Sequence, residues 1–190
     1  MGTDSRYNVF MRKADLMTVA FTGYRPEKMP FTERDDDPDF VRFKEKLAEI
    51  VEKLVMAGYD TFLSGMATGF DTWAAEAVLA CRRRYPGLSL VGVIPFPEQA
   101  ADWSGEDQYR REMILRGCAS TVTTSPTYAR GCYFTRNRHL VDHADLLLCA
   151  YDGQKGGTAY TVEYAKKRGL PLICIRPSTA EVLYYRLPPL

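Results

Sequence analysis

The chain reads as a single Rossmann-like α/β unit: a doubly wound, mainly parallel sheet of about six strands with helices on both faces. Three observations predict it. Short apolar runs alternate with longer amphipathic ones along the 190 residues. Several short runs are apolar on consecutive residues, as in Leu146-Leu147-Leu148 and Leu172-Ile173-Cys174-Ile175, a pattern of strands covered on both faces. Strand ends run through glycine-rich turns directly into helical patterns, the order that a right-handed crossover requires.

Each element follows from local signals. Residues 1–16 are polar and irregular and read as an extension preceding the unit at 17–190. Strands are expected at 18–22, 60–64, 89–95, 120–124, 145–151 and 170–176. The first helix, 40–57, carries Phe43, Leu47, Ile50 and Leu54 at helical spacing and stops at Gly58. A second spans 72–84 and ends at Tyr85-Pro86-Gly87; a third spans 104–116, with Ser104 and Asp107 in capping-box register. Helices at 134–143 and 158–168 continue the alternation, and 178–185 reads as a terminal helix with Ser178 and Glu181 as its box. Between strand and helix, residues 27–39 hold two prolines and Asp35-Asp36-Asp37, a solvated loop or a flap over a pocket.

Composition narrows the function. A formal net charge of +1 gives no strong drive toward nucleic acid or a membrane surface. No apolar run approaches the ~20 residues of a membrane span, and the first residues lack the order of a signal peptide, so a cytoplasmic location is expected. The five cysteines lack CxxC spacing, and the i,i+4 pair His139 and His143 has no partner ligand, so no metal site is expected.

In an open α/β sheet, ligands bind beyond the carboxyl ends of the strands. Those ends carry Thr22-Gly23-Tyr24-Arg25, Ser64-Gly65 with Gly69, Pro95-Phe96, and Asp152 through Gly156, Gly157 and Thr158. Neither GxGxxG nor GxxxxGK[ST] is present, which excludes a conventional dinucleotide enzyme or P-loop NTPase. Glycine turns at helix starts suit phosphate. Asp71 either caps the second helix or accepts from a ribose hydroxyl. Arg136 offers an anion-binding fork. Trp73, Tyr24 and Phe96 either stack a base or belong to the core. The basic triplets Arg82-Arg83-Arg84 and Lys166-Lys167-Arg168 end helices, where cations complement the dipole.

Thr22-Gly23-Tyr24-Arg25-Pro26, Ser64-Gly65 with Gly69, Trp73-Ala74-Ala75-Glu76-Ala77, Ile94-Pro95-Phe96, Arg136-Asn137 and Asp145-Leu146-Leu147-Leu148 before Tyr151-Asp152 together resemble the YpsA-like family of the SLOG superfamily. The superfamily includes the LOG phosphoribohydrolases and the DNA-processing protein DprA. The resemblance, over 17–177, implies a nucleotide or nucleotide-sugar ligand such as ADP-ribose, held in a sensor or regulatory role with no required cofactor, and self-association into a homo-oligomer.

LOG-like hydrolysis of nucleoside monophosphates is the alternative, and DprA-like binding of single-stranded DNA is disfavoured by the charge. LOG enzymes pair an arginine with a glutamate in a GGxGTxxE turn. Arg136 stands at the matching distance before Asp145. Three residues beyond Thr158, however, is Thr161, and the next acid is Glu163. Two helical steps rotate a side chain by ~200°, so Glu163 should point away from the cleft. Hydrolysis would then need Glu76 or Asp152 as its carboxylate.

Overall fold

A computed structural model describes residues 17–190; the irregular extension expected at 1–16 lies outside them. The chain forms β1 (Met17–Gly23), α1 (Pro38–Met56), β2 (Tyr59–Ser64), α2 (Phe70–Cys81), β3 (Ser89–Ile94), α3 (Gly105–Gly117), β4 (Ser120–Thr123), α4 (Cys132–Asp142), β5 (Leu146–Ala150), α5 (Gly157–Arg168), β6 (Leu172–Ile175) and β7 (Val182–Tyr185). A 3-10 turn at Pro26–Lys28 follows β1. The seven strands run in the order β4-β3-β2-β1-β5-β6-β7. All pairings are parallel except β6 with β7.

The winding reverses between β1 and β5. Helices α1 and α2 bury Phe43, Leu47, Leu54, Trp73 and Val78 against one face, with Phe21, Phe62 and Leu148 of the sheet. Helices α4 and α5 cover the other face through Leu140, Val141, Val162 and Ala165 against Ala20, Leu63 and Leu147. Consecutive leucines in β5 therefore serve both cores, and all five of its residues are buried. At β1 and β5 the connections leave for opposite faces, which opens a crevice at the carboxyl edge.

Two expectations are corrected. The terminal helix is a strand, which makes the sheet seven-stranded. Ala180 adopts φ 56, and Arg176 N donates to the Glu181 carbonyl at 2.8 Å while Ala180 N donates to the Arg176 carbonyl at 2.9 Å, closing a tight hairpin. Thr179 Oγ1 accepts from Glu181 N, so the Ser178 box never forms. Along β7, Val182 and Tyr184 pack on the core while Leu183 and Tyr185 face outward, a period of two that outweighs the capping signal.

The segment 27–39 is a largely exposed loop, as one reading had it, anchored at a few positions. Phe31 is buried among Phe40, Phe43 and Trp73. Glu33 accepts from Trp73 Nε1 at 2.5 Å and pairs with Arg110, whose guanidinium also grips Glu76 through two bonds of 2.6 and 2.7 Å. Asp37 accepts from the backbone of Asp39 and Phe40 and so caps α1.

Trp73, 2% exposed, thus joins the aromatic core and the loop that covers it. Trp73→Ala should lower unfolding free energy by about 3–5 kcal/mol in urea titration, with Trp73→Phe recovering much of the loss. A shift within ~0.5 kcal/mol would place the ring outside the core.

Candidate functional site

The cleft at the switch point encloses about 250 Å³. The end of β1 forms its floor, the starts of α2 and α5 two of its walls, and α4 a third. Close backbone approach builds it. A Cβ on Gly23 would stand 2.4 Å from Phe70, and Phe70 N donates to the Tyr24 carbonyl at 3.1 Å. Gly69, at φ +82, would place a Cβ 2.7 Å from that same carbonyl oxygen. Gly65 would collide with Arg136 Nη1 at 1.7 Å. Glycine at these positions lets α2 and Arg136 seat against the strand ends.

At the base of the cleft lies a buried ion pair. Arg136, on α4, is 6% exposed, and Asp71, in the first turn of α2, is also 6% exposed. Arg136 Nη1 donates to the Gly65 carbonyl and lies 3.6 Å from Asp71 Oδ2, while Nε donates to Asn137 Oδ1 at 2.8 Å. Burial raises the Asp71 carboxyl above the usual range, and Arg136 and the Ala67 N–H, at 3.4 Å, oppose that rise. Burial likewise pulls Arg136 down, opposed by Asp71. A guanidinium nevertheless stays charged in a protein.

Helix α5 opens at Gly156 with no side-chain cap. Gly157 and Thr158 line the cleft, and Thr158 Oγ1 donates to the Gly23 carbonyl at 2.9 Å. That hydroxyl ties β1 to α5, while the backbone of the first turn faces the cavity. Asn137 Nδ2 points toward Gly157, 4.0 Å from where a Cβ would stand. Arg25 and Lys28 supply exposed positive charge at the rim, with Glu27 beside them. Lys28 Nζ donates to the Lys155 carbonyl at 3.0 Å, joining the turn after β1 to the loop before α5.

Tyr24 fixes that loop. Its hydroxyl donates to Asp152 Oδ1 at 2.6 Å and accepts from Gln154 N at 3.0 Å. Burial and the carboxylate push the Tyr24 hydroxyl up to about 12, so it remains a donor. Burial works to raise the Asp152 carboxyl, but the bonds from Tyr24 and Gln154 outweigh it and hold the group below its ordinary value.

Of the residues singled out in the sequence, the cleft brings together Thr22, Gly23, Tyr24, Arg25, Asp71, Arg136, Gly157 and Thr158. Others are set apart from its lining. Ser64 is fully buried and donates to the Asp71 carbonyl. Gly65 and Gly69 are packing positions, and Gly156 is the φ +146 turn beside Lys28. Trp73 lies in the core. Pro95 and Phe96 lie at the end of β3, where Phe96 packs edge-on to Tyr128 and Tyr133. Glu76 is occupied by Arg110, and Asp152 lines a second cavity behind the loop. Glu163 is exposed and pairs with Lys166, as its helical phase implied.

Sequence reasoning missed Glu27, Lys28, Tyr133 and Asn137, all cleft-lining, and Gln99, which donates to the Gly65 and Met66 carbonyls from below. Asn137 adjoins Arg136, and Tyr133 lies one helical turn before it, so helical spacing carried a signal for both. Nothing local marks Gln99. His139 and His143 stack on each other, and no group of three potential metal ligands occurs among the described residues.

The Tyr24 bond has a measurable consequence on the acid side. Because the Asp152 carboxyl is lowered, its contribution to stability is complete above the ordinary aspartate value of ~3.9 and is lost as pH falls through the lowered one. In Tyr24→Phe the Asp152 carboxyl should titrate at a higher pH, read by carboxyl-carbon NMR, and acid unfolding should begin correspondingly earlier. An unchanged titration would mean that Tyr24 does not govern Asp152.

The fold is shared with two solved DNA-processing proteins A. The protein from Helicobacter pylori, described for its single-stranded DNA binding mode, superposes with a TM-score of 0.56 at 20% identity, over 84% of this chain and 65% of that one. The protein from Streptococcus pneumoniae gives 0.59 at 17% identity, over 87% and 52%. This chain thus spans under two thirds of either protein. Curated relatives include UPF0398 proteins of Bacillus thuringiensis and Bacillus cereus, each 29% identical over 157 residues, 81% of this chain and 85% of the relative. A family model for YpsA, described as "YspA SLOG family", matches residues 19–175, from within β1 to the end of β6. With the glycine-built cleft at the β1/β5 switch point inside that span, the chain belongs to the YpsA family of SLOG proteins.

Proposed function

We propose that the cleft binds a nucleotide or nucleotide-sugar of the ADP-ribose type, in a sensor or regulatory role. One observation carries the reading: largely buried side chains that line the cleft keep polar atoms open to it, without a protein partner among the described residues. Arg136 spends Nε on Asn137 and Nη1 on Gly65, leaving Nη2. Asn137 spends its oxygen on Arg136, leaving Nδ2 aimed at the start of α5. Asp71 engages Oδ2, leaving Oδ1. Held in place by their other bonds, these atoms are positioned to bond a ligand that enters the cleft. A phosphate at the start of α5 satisfies the two donors and meets the helix dipole, while a neighbouring sugar hydroxyl satisfies Asp71. A bare phosphate leaves the carboxylate facing an anion; a sugar phosphate does not. Self-association into a homo-oligomer is part of the same reading.

Hydrolysis is less well supported, because neither Glu76 nor Asp152 lines the cleft. The likeness to DNA-binding relatives extends to the fold, and the cleft's charges are mixed rather than uniformly basic.

Thermal shift against ADP-ribose, AMP, ribose 5-phosphate, inorganic phosphate and a short DNA strand tests the proposal, with chromatography of each stabilising ligand. A nucleotide at ~100 times its dissociation constant should add about 2.7 kcal/mol and be recovered intact. Free base and ribose phosphate would instead assign hydrolysis, and stabilisation by DNA alone with steep salt dependence would overturn the nucleotide reading. Asn137→Ala should weaken AMP binding about tenfold, one hydrogen bond's worth. Asp71→Asn should weaken AMP binding more than phosphate binding in calorimetry; equal loss would remove Asp71 from the sugar.

A further inference from the structure

Behind the Tyr151-Asp152 turn lies a second cavity of about 370 Å³, on the α4/α5 side of the sheet, with Cys149, Cys174, Lys166 and Arg176 in its lining. The two cysteines are direct register partners on the parallel strands β5 and β6. Register partners on adjacent parallel strands project to the same face. Neighbouring strands lie ~4.8 Å apart, within the 4.4–6.8 Å between Cα atoms that a disulfide spans. Cys149 is fully buried; Cys174 is partly exposed, toward the cavity. We propose that Cys149 and Cys174 form a thiol modification site, oxidised by a small hydroperoxide entering this cavity, with Cys174 as the attacking thiol and Cys149 as its resolving partner.

The local chemistry divides the two roles. The neighbouring Cys149 thiol holds Cys174 below the ordinary cysteine range, and the neighbouring Cys174 together with burial holds Cys149 well above it. Arg176 and Lys166 favour the Cys174 thiolate in the same direction. Cys81, Cys118 and Cys132 have no such register partner. In the first step the Cys174 thiolate attacks one peroxide oxygen. An S–O bond forms as the O–O bond breaks, sulfur is oxidised by two electrons, and hydroxide or alkoxide leaves. Cys149, giving up its proton, then attacks that sulfur; the S–S bond forms, the S–O bond breaks, and hydroxide takes the proton to leave as water. Bringing the Cβ atoms to disulfide distance draws the short strand β6 toward β5, and only β7 lies beyond it.

The cross-link would reach the nucleotide cleft through one bond. Reduced Cys174 donates to the Tyr151 carbonyl at 3.1 Å, and a disulfide sulfur has no hydrogen to donate. Tyr151 leads directly into Asp152, the partner of Tyr24.

The test treats the folded, reduced chain with hydrogen peroxide and follows intact mass and peptide mapping. The expected product has lost two hydrogens and maps to Cys149–Cys174. Cys149→Ser should lose the cross-link and accumulate a sulfenic acid on Cys174 that dimedone traps. Cys174→Ser should consume peroxide at least about tenfold more slowly than the parent. Oxidation centred on Cys81, Cys118 or Cys132, a sulfenic acid on Cys174 that persists in the parent chain, or no reaction under conditions that oxidise the urea-unfolded chain would each overturn the proposal. None of these outcomes depends on whether the cleft binds a nucleotide.

Discussion

A guanidinium buried where the chain changes direction organises this molecule. Arg136 reaches across the crevice from α4 to the turn after β2, where Gly65 offers a bare carbonyl and Asp71 a countercharge. Burying an ion is expensive unless hydrogen bonds replace its water, and here the Gly65 carbonyl and Asn137 do so, with Asp71 as countercharge. Any side chain at position 65 would occupy the guanidinium's place. The glycine, the arginine and the aspartate therefore form one unit contributed by two halves of the winding.

That unit explains why the cleft mixes charges. Basic groups at the rim and the start of α5 favour an anion, while Asp71 restricts what lies beside it. An ion pair at 3.6 Å leaves each partner short of a full hydrogen bond. The proposed sugar phosphate, which brings both a donor and acceptors, matches groups held in this way.

The alternation of short apolar runs with amphipathic ones made the parallel sheet, its two covered faces and a cleft at the carboxyl ends legible. β5 was plain because five consecutive buried residues leave no period to misread. β7 was hidden because Ser178 and Glu181 imitate a helix start, and the left-handed Ala180 that turns the chain has no sequence signature. Within the site, Asp71 announced itself by charge next to a glycine turn, and Arg136 by charge less than a helix length before β5. The glycines themselves were read as phosphate cradles, whereas three of them answer to neighbouring atoms: Phe70, Arg136 and the Tyr24 carbonyl. Trp73 was ambiguous, since an aromatic beside a glycine turn fits a stacked base and a core equally well. Gln99 and Glu33 act across long sequence separations, which no local pattern encodes.

The anchored segment after β1 also bears on kinetics. Phe31 in the aromatic core and Glu33 between Trp73 and Arg110 hold the chain next to the cleft mouth in place. For the nucleotide proposed above, entry would need no rearrangement of that segment. The rate of its capture would be set by diffusion and by the field of Arg25 and Lys28 at the rim, so added salt would act on how fast it arrives. How long it stays belongs to the buried contacts at the base, which the counterions of bulk solution scarcely reach.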